Sequence, residues 1–425
     1  MVAFAPFAGG EGAVLLDSAA EAGGRGRWSY VCVRPRRVVL DPADPFAALE
    51  ALAAGLPRRS VPPEAPPFTG GIVGWLGYEA GRHLERLPAP RADDLGVPEA
   101  AFGVYDTVAA FDTATGRAWA CAPTRAEAES LADALGTTPL PPPDWTATAP
   151  WTAEQDPADA EARIRAAIAF ILAGDIFQAN VTQRFLATLP TGLDAFTLYR
   201  RLRTLSPAPF AACASFGGAH LLSASPERFL RIEPGGRVET RPIKGTRPRG
   251  ATPAEDAALA AELLASDKDR AENLMIVDLM RNDLARVCRV GSVAVPVLNG
   301  LETFASVHHL VSVVEGVLED GRGPVDLLRA AFPGGSITGA PKIRAMEIIN
   351  GLEPARRGLY CGTLFRLGGD GAFDSSILIR SLVVGRMGRV AAQAGGGITA
   401  DSDPAAEVAE AKVKAAPLLA ALAGR

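Results

Sequence analysis

The 425-residue sequence has no uninterrupted apolar run of the ~18 residues a helix needs to cross a bilayer. Cysteine and histidine are scarce. The five cysteines (Cys32, Cys121, Cys213, Cys288 and Cys361) are odd in number and share no CxxC spacing. That argues against a disulfide framework or zinc knuckle and suits a reducing cytosol. Four histidines (His83, His220, His308 and His309) leave few ways to build a two-histidine metal site. Basic charge is not in excess: 43 Lys and Arg stand against 48 Asp and Glu, a net charge of −5. A nucleic-acid backbone therefore finds no counter-charge here. The first 24 residues carry no basic segment, and glycine breaks their apolar stretches, so no secretory signal is expected. What remains is an ordinary globular composition, 48% hydrophobic and 21% charged. It excludes a disordered chain and is long enough for a core without disulfides, in two or three folding units or one large fused core.

Short apolar runs separated by glycine, proline and aspartate predict strands over Arg27–Val33, Arg37–Leu40, Gly71–Gly77, Val104–Phe111 and Ala118–Cys121. A short helix is expected over Thr124–Leu135. Thr137–Pro150 is proline-rich, either a boundary or a connector inside one compact unit. Asp156-Pro157 is a helix start, with Ile164, Ile168, Ile171 and Leu172 as the apolar stripe and Gly174 as the stop. In the strand that follows, Phe177, Ala179, Val181 and Phe185 alternate with Gln178, Asn180 and Thr182. The polar face either lines a site or meets solvent. Further strands are expected over Phe210–Phe216, Gly218–Ser223, Arg228–Ile232, Arg237–Thr240, Gly362–Leu367, Ser376–Val384 and Arg389–Ala394. Helices are expected over Asp267–Arg286, Val325–Ala331, Pro341–Asn350 and from Asp403-Pro404. Hairpins mixed with separated helices indicate an α+β fold rather than a doubly wound parallel sheet.

Several residues are costly where the pattern puts them. Glu272 shares a helical face with Met275, Ile276 and Leu279. A carboxylate on an apolar stripe costs several kcal/mol unless paired, protonated or metal-bound. It is either a ligand or catalytic group or half of a buried salt bridge, with Lys268 one turn earlier as the candidate partner. In the last helix Glu407, Glu410 and Lys414 share a face away from Val408, Ala415, Leu418 and Leu419. By spacing alone this is a solvated face with an i,i+4 ion pair. Yet the helix follows Gln393–Ala400, where three consecutive glycines allow close backbone approach. Carboxylates beside glycine N–H groups suit Mg²⁺ and an acidic ligand. Phe332–Lys342 (FPGGSITGAPK) lacks the order of a nucleotide-binding phosphate loop. The helix after it either binds an anion at its N-terminus or is merely capped. On a strand His308 and His309 face opposite sides, one to a core and one to a site. Lys244 lies between Ile243 and Gly245 in an arginine-rich stretch, either as an ordinary surface lysine or as a desolvated nucleophile.

The motifs SPERF (Ser225–Phe229), TRPIKGT (Thr240–Thr246), DRAENLMIVDLMRND (Asp269–Asp283) and VHHLVS (Val307–Ser312) occur in order. After them come AAFPGGSITGAPKIRAMEII (Ala330–Ile349), GLYCG (Gly358–Gly362) and AGGGITADSDP (Ala394–Pro404). This set resembles the chorismate-utilising enzymes. The resemblance is dense from about Asp156 to Leu419 and weaker over residues 1–150, where LLDS (Leu15–Ser18) and GGIVGWLGYEAGR (Gly70–Arg82) match. It implies a four-layer αββα core with two orthogonally packed, mainly antiparallel sheets. The N-terminal region (1–150) and the catalytic region (151–425) would be interwoven in that core. It also implies Mg²⁺ as cofactor, with chorismate and ammonia as substrates. Glu272 and Glu410 match metal-ligand positions, with Glu407 adjacent through metal-bound water. Glu227 matches a general acid near the leaving C4 hydroxyl, and His309 a site histidine. Thr246, Tyr360, Arg380, Gly395, Gly396 and Gly397 match positions that hold the substrate carboxylates, and Lys414 lies close to them. Water-using members carry a lysine where this chain has Gln178, which points to ammonia. Anthranilate-forming members usually read PIAGT where this chain reads PIKGT. Lys244 therefore resembles the nucleophile of the branch that makes 4-amino-4-deoxychorismate for 4-aminobenzoate and folate. The alternative is anthranilate formation, alone or alongside. The resemblance implies a separate glutamine amidotransferase subunit as ammonia source, a cytoplasmic location, and a tryptophan-binding region near Leu15–Ser18.

Overall fold

The computed structural model describes residues 1–20, 25–57, 62, 64–145, 150–304 and 307–423. Ala305 and Ser306, at the head of the motif ASVHHLVSV, lie outside these described residues. So do residues 146–149 of the proline-rich stretch and 21–24 of the N-terminal one. The strand pairings are antiparallel and form two large sheets. The first runs Gly339–Ala340, Gln178–Thr188, Arg389–Ile398, Ser381–Val384, Ala219–Ser225, Phe210–Phe216, Val14–Asp17, Trp28–Cys32, Val108–Asp112, Ala118–Cys121. The second runs Ile243–Pro248, Val307–Val317, Arg237–Thr240, Arg228–Ile232, Phe373–Ile377, Thr363–Gly368, Gly71–Leu76, Ala100–Tyr105, Arg37–Leu40. Strands from both sides of the proline-rich stretch enter both sheets.

Apolar residues from the two sheets meet face to face. Tyr30, Phe216 and Leu221 of the first pack with Val73, Trp75, Tyr105 and Leu364 of the second. Trp75 and Phe216 meet edge-on with ring centres 5.0 Å apart. Helices cover the outer faces. Ile276, Met280, Leu327, Leu328 and Met346 lie on the second sheet, and Leu198, Tyr199, Leu202, Leu418 and Leu422 on the first. This is the expected α+β, αββα arrangement. Burying a side chain such as Leu or Phe contributes roughly 1.5–3 kcal/mol, so three apolar layers suffice without a disulfide. All five cysteines are free.

One expected strand is really two. Val104–Phe111 divides at Asp106 and Thr107. Ala100–Tyr105 pairs with Gly71–Leu76 in the second sheet, and Val108–Asp112 with Trp28–Cys32 in the first. Both pieces are buried on nearly every residue, so no change of periodicity marks the crossover. Asp156 and Asp403 cap their helices as expected, accepting from the amides of Asp159 and Ala406. The same acid-proline start at Asp44-Pro45 begins an additional helix, Pro45–Ala54. Helices Ala195–Leu205 and Pro253–Ala265 and the strand Ala294–Thr303 also lie outside the expected elements. Among the described residues no helix is long and apolar enough to cross a membrane.

Candidate active site

The site is assembled where the edge of the second sheet meets the glycine-rich strand of the first. Gln178 opens the strand Gln178–Thr188, whose polar face points inward: Gln178, Asn180 and Thr182 are all buried. Of the two readings of that face, the solvated one fails. Asn180 Nδ2 donates to the Ile337 carbonyl at 3.2 Å, and Thr182 Oγ1 to Glu353 at 2.9 Å. The Gln178 side-chain oxygen is buried and, among the described residues, has no hydrogen-bond partner. Gly397 lies alongside, and a β-carbon there would overlap Gln178 Nε2 and stand 3.3 Å from Lys244 Nζ.

Lys244 and Thr246 lie on Ile243–Pro248, paired with Leu310 and His309 across a register shift. Gly245 produces the shift with a left-handed φ of 77°; a β-carbon there would stand 2.8 Å from Leu263 and 2.9 Å from Asp269. Burial lowers the Lys244 pKa, opposed by Glu272, Glu227 and Glu410 and assisted by Lys414. The reading of Lys244 as an ordinary surface lysine is thereby discarded. A lysine held toward its neutral form by burial has the lone pair that nucleophilic chemistry requires.

Glu227 is 4% exposed, and burial pushes its pKa up to about 7. The Ser336 hydroxyl donates to its Oε1 at 2.7 Å. A carboxyl near neutrality beside a desolvated amine is suited to general acid work. The two histidines divide as the strand alternation predicts. His308 is satisfied structurally by Asp256 at 2.9 Å and Thr303 at 2.9 Å. His309 Nδ1 meets Thr246 Oγ1 at 2.8 Å, and burial followed by Arg380 lowers its pKa to about 4. The imidazole is therefore neutral at pH 7. Arg380 is itself desolvated, sits at a φ of 52° and donates to the Lys414 carbonyl at 3.0 Å. Tyr360 is buried within electrostatic reach of Arg380, and burial raises its phenol far above the ordinary range.

The three glutamates border the same space from two helices. Glu272 does not pair with Lys268. That lysine reaches Glu407 at 3.4 Å, and Ser402 donates to the same Glu407 oxygen at 2.8 Å. Among the described residues the Glu272 carboxylate has no hydrogen-bond or ion-pair partner. Burial raises its pKa against the pull of Lys244 and Lys268. Glu410 is more exposed and forms the i,i+4 pair with Lys414 at 2.7 Å. Burial would raise its pKa, but Lys414, Lys268 and Lys244 outweigh it and hold it low. Lys414 also donates to the Gly395 carbonyl at 3.0 Å. Gly395 tolerates no β-carbon, which would overlap the Val181 carbonyl; one at Gly396 would stand 3.0 Å from Glu407 Oε2 and 3.6 Å from Lys414 Nζ. Among the described residues no three acidic, cysteine or histidine side chains already converge as a metal-holding group. Lysines stand between these glutamates instead.

Residues 19–420 match the family of chorismate binding enzymes. The chain belongs to that family. This chorismate-utilising enzyme is 44% identical to a protein named anthranilate synthase component 1 from Streptomyces coelicolor, over 99% of this chain and 86% of that one. It is 39% identical to aminodeoxychorismate synthase component 1 from Klebsiella aerogenes, over 96% of this chain and 93% of that one. Its fold superposes on the crystal structure of anthranilate synthase component I from Streptococcus pneumoniae TIGR4 with a TM-score of 0.79. That likeness spans 91% of this chain and 92% of the other at 30% identity. Overall identity thus favours neither amination product.

Two site contacts escape sequence reasoning. Ser336 lies in the glycine-rich loop Phe332–Lys342, and its hydroxyl holds Glu227, 109 residues away. Lys268, one turn before Glu272, pairs with Glu407 instead. No local pattern carries either contact. Leu15–Ser18 lies away from these groups: Tyr199 and Arg203 hold Asp17, and the Ser18 hydroxyl donates to the Trp28 carbonyl at 2.6 Å.

Proposed function

We propose that this chain aminates chorismate at C4, giving 4-amino-4-deoxychorismate for 4-aminobenzoate and folate synthesis. A separate glutamine amidotransferase subunit would supply the ammonia. The observation that carries the reading is Lys244: a desolvated lysine within electrostatic reach of Glu272 and Glu227, its Nζ beside Gly397 and so next to the Gln178 amide. In the proposed sequence neutral Lys244 Nζ bonds to C2 of the ring. The diene electrons shift, and the C4–O bond breaks as Glu227 gives its proton to the departing hydroxyl, which leaves as water. Ammonia then bonds to C4, the electrons shift back, and the C2–Nζ bond breaks to free Lys244. The unpartnered Gln178 oxygen supports a role in receiving an ammonia N–H. Arg380, Thr246, Tyr360, Lys414 and the amides of Gly395, Gly396 and Gly397 would hold the substrate carboxylates, and neutral His309 would orient Thr246.

The residues fit Mg²⁺ by donor chemistry, since all three acids offer hard oxygen ligands and Glu272 has no hydrogen-bond or ion-pair partner among the described residues. Gly396 also keeps open the space between Glu407 and Lys414. Glu272 and Glu410 would hold the ion, with Glu407 acting through water, and Lys268 and Lys414 would release or share those carboxylates. Bound Mg²⁺ would anchor a ring carboxylate and polarise the diene.

A second reading, anthranilate formation, stands beside it because a relative named for that activity is 44% identical to this chain. One assay separates them. Purified protein is given chorismate, Mg²⁺ and an ammonium salt, with the lyase that converts 4-amino-4-deoxychorismate to 4-aminobenzoate. 4-Aminobenzoate is the expected product, and anthranilate as the main product would overturn the choice. Adding tryptophan to the same assay, with its binding followed by calorimetry, tests the region near Leu15–Ser18.

A further inference from the structure

The loop that carries Ser336 is tied at its neck. Helix Pro324–Ala331 ends just before it and helix Lys342–Leu352 begins just after it. Lys342 Nζ donates to the Ala331 carbonyl at 2.9 Å and to Asp283 Oδ2 at 2.6 Å. One side chain thus closes the two ends of the loop and fastens them to the helix Asp267–Ala285, which also carries Glu272. Asp283 is 3% exposed and the Lys342 side chain 14%. A buried ion pair of this kind is costly to form, and removing one partner is strongly destabilising, so it needs a reason beyond stability.

What the neck holds is the contact made at the far end. Within the loop, Gly335 is pressed on the same helix: a β-carbon there would stand 2.7 Å from Leu279 and 2.9 Å from Met280. The next residue is Ser336, 2.7 Å from Glu227. Beyond it, the Asn180 amide donates to the Thr338 carbonyl at 2.7 Å, and Ala340 pairs with Gln178. We infer that Asp283 and Lys342 are positioning residues that set the distance between Ser336 and Glu227, and through it the readiness of Glu227 to give up its proton. This rests on the reading of Glu227 as the acid.

The other groups facing Glu227 are fixed elsewhere. They are Lys244 and the Ile243 amide from the edge strand, and Cys361 from the turn after Lys342–Leu352. A donated hydrogen bond favours the ionised carboxylate, so loosening the neck moves the Glu227 midpoint upward.

The test replaces the pair together, Asp283→Asn with Lys342→Met, so that no lone charge stays buried. Lys342→Arg, which keeps the charge pair but alters the reach of the neck, serves if the double variant does not fold. Glu227 is titrated by carbon NMR in protein labelled at glutamate carboxyls, with Glu227→Gln for assignment. The pair variant is expected to raise the Glu227 midpoint in the direction Ser336→Ala does, and to add little when combined with Ser336→Ala. Turnover is expected to fall about tenfold while KM for chorismate stays within about twofold. An unchanged Glu227 midpoint in the pair variant, with Ser336→Ala shifting it, overturns the inference. A shift fully additive with Ser336→Ala does so too. The NMR midpoint decides this even if Glu227→Gln keeps full activity, a result that would instead overturn the acid role of Glu227.

Discussion

Gly397 and Gln178 occupy adjoining space: a β-carbon on Gly397 would overlap the Gln178 side-chain nitrogen. The first residue of one strand and the third glycine of another are thus matched in size across the site. Gly397→Ala is therefore expected to displace the Gln178 amide and crowd Lys244, lowering kcat/KM for chorismate with ammonia at least about a hundredfold. The strand pairing there survives, because Gly397 pairs with Asn180 through backbone alone. Circular dichroism should accordingly match the parent. Parental activity in a folded Gly397→Ala protein would show that Gln178 is not needed where it stands.

Lys244→Ala removes the proposed nucleophile while leaving the acids in place. C4 amination should fall below about one-thousandth of the parent. Intact-mass measurement after rapid quenching should show a chorismate-derived adduct on the parent and none on the variant. Continued 4-aminobenzoate formation in the coupled assay would refute the covalent step. Lys244→Arg should not restore activity, because a guanidinium stays protonated.

The Glu227 carboxyl offers a pH test with a definite sign. Its pKa is raised to about 7 in the folded protein, so it binds a proton more readily folded than unfolded. Its contribution to stability is therefore present below its unfolded pKa and lost as pH rises through about 7. Glu227→Gln should gain about 3 kcal/mol relative to the parent at pH 8 and little at pH 4, as measured by urea unfolding. Breaking of the C4–O bond, which needs the proton, should weaken above pH 7 in the parent. Equal stability of the two proteins at both pH values would contradict the raised pKa.

Metal dependence is the fourth expectation. Protein dialysed against EDTA should lose turnover and recover it with MgCl₂. Glu272→Gln should abolish saturable Mg²⁺ binding in calorimetry performed with chorismate present. It should barely alter folding, since Glu272 has no ion-pair partner among the described residues to lose. Turnover by the EDTA-treated protein at the parental rate would exclude the glutamates as a metal site.

Much of this could be read before folding. Alternation on a strand set Gln178, Asn180 and Thr182 on one polar face, and packing decided that the face is buried. It also set His308 and His309 on opposite sides, and packing gave His308 to Asp256 and Thr303 and His309 to Thr246. Asp-Pro helix starts mark helices at Asp156, Asp403 and Asp44 alike. Val104–Phe111 reads as one strand because a segment buried on both faces shows no break in pattern where it crosses between sheets. Glu410 and Lys414 form the surface-type pair that their spacing suggests, yet Lys414 also reaches Gly395 and lies near Lys244. Spacing along a helix describes a face but not what packs over it.

The sequence by itself determined the residue chemistry and the family: which acids, which lysine, which glycines, in what order, and in strands and helices of which kind. Periodicity and motif order are local properties, readable without coordinates. Only the tertiary structure decided which groups meet. It gave Lys268 to Glu407 rather than Glu272, brought Ser336 to Glu227 across 109 residues, and desolvated Lys244 and Glu227 together. A pKa depends on burial and on neighbours in space, and both are set by the packing of two sheets whose strands come from all along the chain.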